Sequence, residues 1–165
     1  MKKLLLLITT LLTTHTVVNA QAPLEKGTLQ LNTGLGTSGW GTPVYLGVDY
    51  GLENNITLGT EISYRSYDRY GFKMNILGIQ GNANYHFNEI LEIPSKWDLY
   101  AGLSLNYYYW NFKDEYAEDV VDNTSFGVGI QIGGRYFFND HFGVNIEGGG
   151  GNATSGGKIG ITYKF

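Results

Sequence analysis

The sequence predicts an all-β protein, an eight-stranded antiparallel up-and-down barrel that crosses a membrane. Three observations predict it. Apolar and polar residues alternate in eight separate runs, the period of a strand with two unlike faces. The polar face is crowded with glycine, as a narrow barrel interior requires and a solvated surface does not. The apolar face carries no charge within the runs, and its aromatic residues gather at the two ends, with Leu, Ile, Val and Ala between them.

The chain opens with Met1-Lys2-Lys3, a short apolar stretch from Leu4 to Leu12, and small residues at Val18-Asn19-Ala20. This reads as a secretory signal peptide over residues 1–20, too short and too rich in Thr for a membrane anchor. Residues 21–165 then form one barrel domain. Without Lys2 and Lys3, nine basic residues stand against fifteen acidic ones, which argues against nucleic acid as a partner. The chain has no cysteine, so a disulfide framework and a thiolate metal site are both excluded.

The first run, Thr28–Gly36, sets Leu29, Leu31 and Leu35 against Gln30, Asn32 and Gly34. The second, Val44–Leu52, sets Leu46, Val48 and Tyr50 against Tyr45, Gly47 and Asp49. Ile56–Arg65 sets Leu58, Ile62 and Tyr64 against Gly59, Glu61 and Arg65. Asn75–Phe87 sets Leu77, Ile79, Ala83 and Tyr85 against Gln80, Asn82, Asn84 and His86. The fifth run, Trp97–Tyr109, has the longest apolar face, from Trp97 through Leu103 to Tyr109. Phe126–Phe138 and Phe142–Gly149 continue the pattern. The last run, Gly156–Phe165, alternates Ile159, Ile161, Tyr163 and Phe165 with Lys158, Gly160, Thr162 and Lys164. Each run is close to the roughly 9–11 residues that a tilted strand needs to span a bilayer.

The connectors alternate in kind. Glu53-Asn54-Asn55 and Asn139-Asp140-His141 are tight turns, and Asn88–Lys96 belongs to the same side. Thr37–Pro43, Ser66–Phe72, Trp110–Ser125 and Gly150–Ser155 read as loops on the opposite side. Short turns in the periplasm and longer loops outside are the asymmetry of an outer-membrane barrel.

Several features bear on chemistry. The polar face carries Asp49, Glu61, Arg65, Asp98, Arg135, Glu147, Lys158 and Lys164. Opposite charges sharing one narrow lumen imply an internal ion-pair network, drawn around Glu61, Arg65, Arg135, Glu147 and Lys158. The eight-stranded interior is expected to be filled by side chains, without a porin-sized channel. His86 and His141 lie at the turn side, away from Ser66 and Ser125, so no serine–histidine–aspartate arrangement is expected and no catalytic residue is assigned. No cofactor or metal ligand set is assigned; the acidic loop Lys113–Asp122 lacks the ligand spacing of a calcium loop and reads as a solvated surface loop, with divalent-cation or partner binding as the alternative. Arg69 and Lys73, beside Tyr67 and Tyr70, form a basic aromatic patch suited to lipopolysaccharide phosphates.

Gly133-Gly134-Arg135-Tyr136-Phe137-Phe138-Asn139-Asp140-His141-Phe142-Gly143-Val144 and the terminal Ile161-Thr162-Tyr163-Lys164-Phe165 resemble the small bacterial outer-membrane β-barrel proteins of the OmpA/OmpX type. The likeness spans all eight runs. It implies a monomer in the outer membrane, with Ile161, Tyr163 and Phe165 supplying the signal read by the outer-membrane assembly machinery. With no periplasmic domain after the barrel, a peptidoglycan-anchoring role is not expected. The function expected is structural or surface-interacting and non-enzymatic, with outer-membrane lipid and lipopolysaccharide as surroundings. A lipid A-modifying outer-membrane enzyme and a soluble, lipocalin-like periplasmic carrier are the alternatives.

Overall fold

Eight strands follow one another along the chain: β1 (Leu29–Ser38), β2 (Val44–Glu53), β3 (Ile56–Arg69), β4 (Phe72–His86), β5 (Trp97–Phe112), β6 (Thr124–Phe137), β7 (Phe142–Gly151) and β8 (Ser155–Lys164). The computed structural model describes residues 23–69, 72–112, 124–152 and 155–165. Every strand pairs antiparallel with its sequence neighbour, and β8 returns to β1 to close the barrel. Where all eight strands overlap, closure pairs each strand on both edges, the condition for placing strands in hydrocarbon. At the seam Leu31 faces Tyr163 and Leu35 faces Ile159, and the Phe165 amide donates to the Leu29 carbonyl at 3.0 Å.

The alternation of the sequence becomes an inside and an outside. Among the described residues the buried apolar side chains number six, against sixteen polar or charged ones. The large apolar residues point outward, with Leu103, Ile130 and Ile132 more than two-thirds exposed. This distribution is inverted relative to a water-soluble barrel, which would bury these residues and solvate Gln30, Asp98 and Arg135. The only solvent that suits the outer face is lipid.

The outward aromatics line the turn side in a nearly continuous belt. Ring centroids lie 5.3 Å apart for Tyr85–Phe87, 4.7 Å for Trp97–Tyr136, 5.5 Å for Tyr136–Phe138 and 5.2 Å for Tyr163–Phe165. Below this belt the turns are tied by side chains. Asn139 Oδ1 accepts from the amides of His141 and Phe142 at 3.0 and 2.8 Å, which is why Asn serves there. Asn88 Oδ1 accepts from the Leu99 amide at 3.2 Å, fixing the 88–96 connector against β5.

The loop side departs from the sequence expectation. Ser66–Phe72 reads as a loop in the sequence, yet Ser66 pairs with Asn75, Tyr67 with Met74, Asp68 with Lys73 and Arg69 with Phe72. Trp110–Phe112 and Thr124–Ser125 likewise belong to strands. Apolar alternation stops where hydrocarbon stops, whereas the hydrogen-bond ladder continues into water as long as polar residues can pair. The barrel wall is therefore uneven: β3, β4, β5 and β6 have 14, 15, 16 and 14 residues, and the other four strands have 10 each.

Candidate functional site in the barrel lumen

The lumen is built in layers. Nearest the turns, Arg135 on β6 reaches Asp49 on β2 and Asp98 on β5. Its Nη2 lies 2.6 Å from Asp49 Oδ2 and its Nη1 lies 3.0 Å from Asp98 Oδ2. The register makes Asp98 and Arg135 direct cross-strand partners, whereas Asp49 is met across the interior. The guanidinium also stacks over the Tyr100 ring, 4.4 Å from its centroid. Arg135 is 3% exposed and both carboxylates are buried. Neutral groups extend the layer: Asn32 Nδ2 donates to Asp49 at 3.0 Å, and Thr162 Oγ1 donates to Asn32 Oδ1 at 2.8 Å.

His86 joins the same layer. Its Nδ1 lies 2.6 Å from Asp98 Oδ1, and its Nε2 lies 3.0 Å from the Thr57 hydroxyl. A hydroxyl–imidazole–carboxylate chain is thus present, where the sequence offered none. The hydroxyl belongs to a threonine one strand away, near the turns, and not to a serine on the loop side. The geometry resembles that of a nucleophile with its base, but Thr57, His86 and Asp98 are at most 1% exposed. No substrate carbonyl can reach this hydroxyl, and Arg135 already holds the carboxylate. The other histidine, His141, lies at the turn side with its Nδ1 2.8 Å from the Lys164 carbonyl.

A second charged layer lies closer to the loops. Lys158 on β8 sits between Glu61 on β3, at 2.9 Å, and Glu147 on β7, at 2.8 Å. Tyr100 donates its hydroxyl to Glu147 at 2.9 Å and so connects the two layers. Between them Gln80 donates to Gln131, and Gln131 to Asn84, at 2.9 and 2.6 Å. Of the five residues placed in one network by sequence, Glu61, Glu147 and Lys158 meet, and Arg135 forms a separate cluster with Asp49 and Asp98. Arg65 joins neither. It lies nearer the loop rim, where its Nη1 donates to Ser38 Oγ at 2.6 Å and its guanidinium covers the Tyr108 ring at 5.3 Å.

Glycine makes room for the three tyrosines that cross the interior. A Cβ at Gly133 would overlap the Tyr100 ring, one at Gly160 would meet the Tyr45 hydroxyl, and one at Gly78 would press on the Tyr108 ring. Two spaces stand out in the interior among the described residues. One of about 20 Å³ lies within the Arg135 layer, and another of about 90 Å³ lies on the loop side. Tyr45, Glu61, Glu147 and Lys158 line both, so the Lys158 layer is the partition between them.

Ile161 and Phe165 face outward on the closing strand, with Tyr163 packed between His141 and Phe165. Arg69 and Lys73 stand at the facing ends of β3 and β4, and their side chains lie outside the described residues. The acidic stretch from Asp114 to Asp122, the loop tip at 153–154 and the expected signal peptide also lie outside them. Among the described residues no group of three or more His, Asp or Glu side chains is arranged to hold a metal ion.

A closed eight-stranded barrel with an apolar exterior and a charged interior has known counterparts. The family described as outer membrane protein beta-barrel domain matches residues 8–165. The chain belongs to that family. Its place is the bacterial outer membrane. Among solved structures, the outer membrane protein OprG from Pseudomonas aeruginosa matches with a TM-score of 0.61 at 15% identity, over 86% of this chain and 97% of that one. Neisserial surface protein A matches with a TM-score of 0.57 at 15% identity, over 84% and 95%. The N-terminal β-barrel domain of Pseudomonas aeruginosa OprF matches with a TM-score of 0.55 at 16% identity, over 85% and 98%. At such identities the likeness is one of fold. No curated protein matches the chain. The soluble carrier expected as an alternative is set aside by the family and by the inverted burial.

Proposed function

We propose that this outer-membrane barrel is a non-enzymatic envelope protein with a plugged lumen, acting through structural support or through its outward loop end. The observation that carries this reading is the pair of charged layers, Arg135 between Asp49 and Asp98 and Lys158 between Glu61 and Glu147. Opposite charges paired across an interior of this width leave little space for hydrated ions. Purified protein in planar bilayers should give no steady conductance of porin size. Stable, long-lived openings from monodisperse protein would make transport the leading function instead.

A lipid A-modifying activity is disfavoured by the seclusion of Thr57 and His86 from any lipid. Overexpression should leave the lipid A mass spectrum of the host unchanged. Three further assignments belong to the same reading. Residues 1–20 are removed on export, which N-terminal sequencing of the mature protein tests. Ile161, Tyr163 and Phe165 are read by the assembly machinery, and Arg69 and Lys73 meet lipopolysaccharide phosphates around a monomeric barrel.

A further inference from the structure

We propose that the loop-side cavity is a binding site for a small polar monocarboxylate, held by Arg65. The cavity measures about 90 Å³, and by this measure a single water needs roughly 10–15 Å³, so a ligand of several heavy atoms fits. Arg65 lines it and is only 4% exposed. Its partners are neutral: the Ser38 hydroxyl at 2.6 Å and the face of Tyr108. Among the described residues no carboxylate pairs with it, and its Nε has no hydrogen-bond partner.

A buried guanidinium without an anion is costly, and a planar fork of donors suits a carboxylate above other partners. The two carboxylates lining the same cavity, Glu61 and Glu147, are both committed to Lys158. Ser38 Oγ is likewise used up, since it also accepts from the Trp40 amide at 3.2 Å and approaches the Gly41 carbonyl at 3.2 Å. With both carboxylates held by Lys158, an anion on the Arg65 fork comes from outside this layer.

The lining decides the class of anion. Arg65 and Lys158 balance Glu61 and Glu147, so a monoanion leaves one excess negative charge and a dianion leaves two. Ser104, Asn106 and Gln80 offer neutral hydroxyl and amide groups on the cavity wall, which suits a polar, hydroxylated acid over an alkyl one. Above Tyr108 the Trp40 and Trp110 rings meet edge to face at 4.4 Å, and Trp40 reaches Tyr108 at 6.5 Å. These rings report on the site.

The test uses the full-length, ¹⁵N-labelled protein folded in detergent micelles and titrated with sodium glycolate at constant ionic strength. The indole N–H signals of Trp40 and Trp110 and the amide of Gly78 are followed. Saturable shifts are expected in the unmodified protein, absent in Arg65→Gln and weakened about tenfold or more in Arg65→Lys, which keeps the charge but loses the fork. The heat-shifted band on SDS gels confirms that each variant is folded. If Arg65→Gln does not fold, Arg65→Lys carries the comparison, and unchanged affinity there overturns the site. Absence of saturation in the unmodified protein, or equal saturation in Arg65→Gln, also overturns it. Tighter saturation by inorganic phosphate than by glycolate overturns the monocarboxylate class.

Discussion

Arg135 Nη2 lies 2.6 Å from Asp49 Oδ2, although the two residues are 86 positions apart and sit on strands that do not touch. This bond crosses the lumen, so it reports on closure of the whole barrel and not on one hairpin. Replacing Arg135 by Met should destabilise the folded barrel by about 3–5 kcal/mol, because Asp49 and Asp98 are then buried without a cation. Urea unfolding in lipid vesicles measures the loss. Adding Asp49→Asn and Asp98→Asn to Arg135→Met should recover more than half of it; no recovery would show that Arg135 acts through packing alone.

Gly133 lies directly opposite Tyr100 in the β5–β6 ladder. Gly133→Ala should cost about 1–3 kcal/mol by driving the ring from its place. In a Tyr100→Ala background the same change should cost close to nothing, a coupling read from a double-mutant cycle. Gly81, whose added Cβ would meet no atom within 4 Å, provides the control. Gly81→Ala should stay within about 0.5 kcal/mol of the parent.

Ile130 faces Leu103 on the outer wall, and both are about two-thirds exposed to the surroundings. Ile130→Lys should cost about 2–4 kcal/mol in a bilayer, the range for a cation near the midplane. In detergent the cost should shrink, since the headgroups of a micelle can reach the ammonium. Equal cost in both media would place Ile130 away from the hydrocarbon centre.

The closing strand is held at its end by the bond from the Phe165 amide to the Leu29 carbonyl. Replacing Tyr163 and Phe165 by Ser should leave export intact and lower the yield of assembled barrel. The fraction of SDS-resistant, heat-shifted band in outer-membrane preparations gives the readout. A wild-type fraction would mean that insertion does not depend on these rings.

Most of the barrel was legible because its two solvents demand opposite residues on alternate positions. Val44, Ile56, Trp97 and Phe142 begin their strands where the alternation begins. The tight turn at 139–141 fixes the β6–β7 register and so sets Arg135 opposite Asn145. The pairing of Arg135 with Asp98 is not set in this way, because the long segment between β5 and β6 leaves that register open to sequence reading. Asp49 was further out of reach, since a contact across the lumen depends on the stagger of the whole sheet. Arg65 was grouped with the other charges for want of a height scale.

Tyr45, Tyr100 and Tyr108 each occupy space that a glycine on another strand leaves vacant: Gly160, Gly133 and Gly78. At Gly133 the three atoms nearest an added Cβ all belong to Tyr100, so ring and glycine depend on each other there. Descent should therefore treat these positions as joint property. A lineage that trades Tyr100 for a small residue frees Gly133 to acquire a side chain, whereas one that fills Gly133 first must displace the ring; Gly160 and Gly78 stay hemmed in by the Thr33 carbonyl and the Ser63 hydroxyl. The order of such exchanges, tyrosine before glycine, is a direction of change that the interior imposes on the history of this wall.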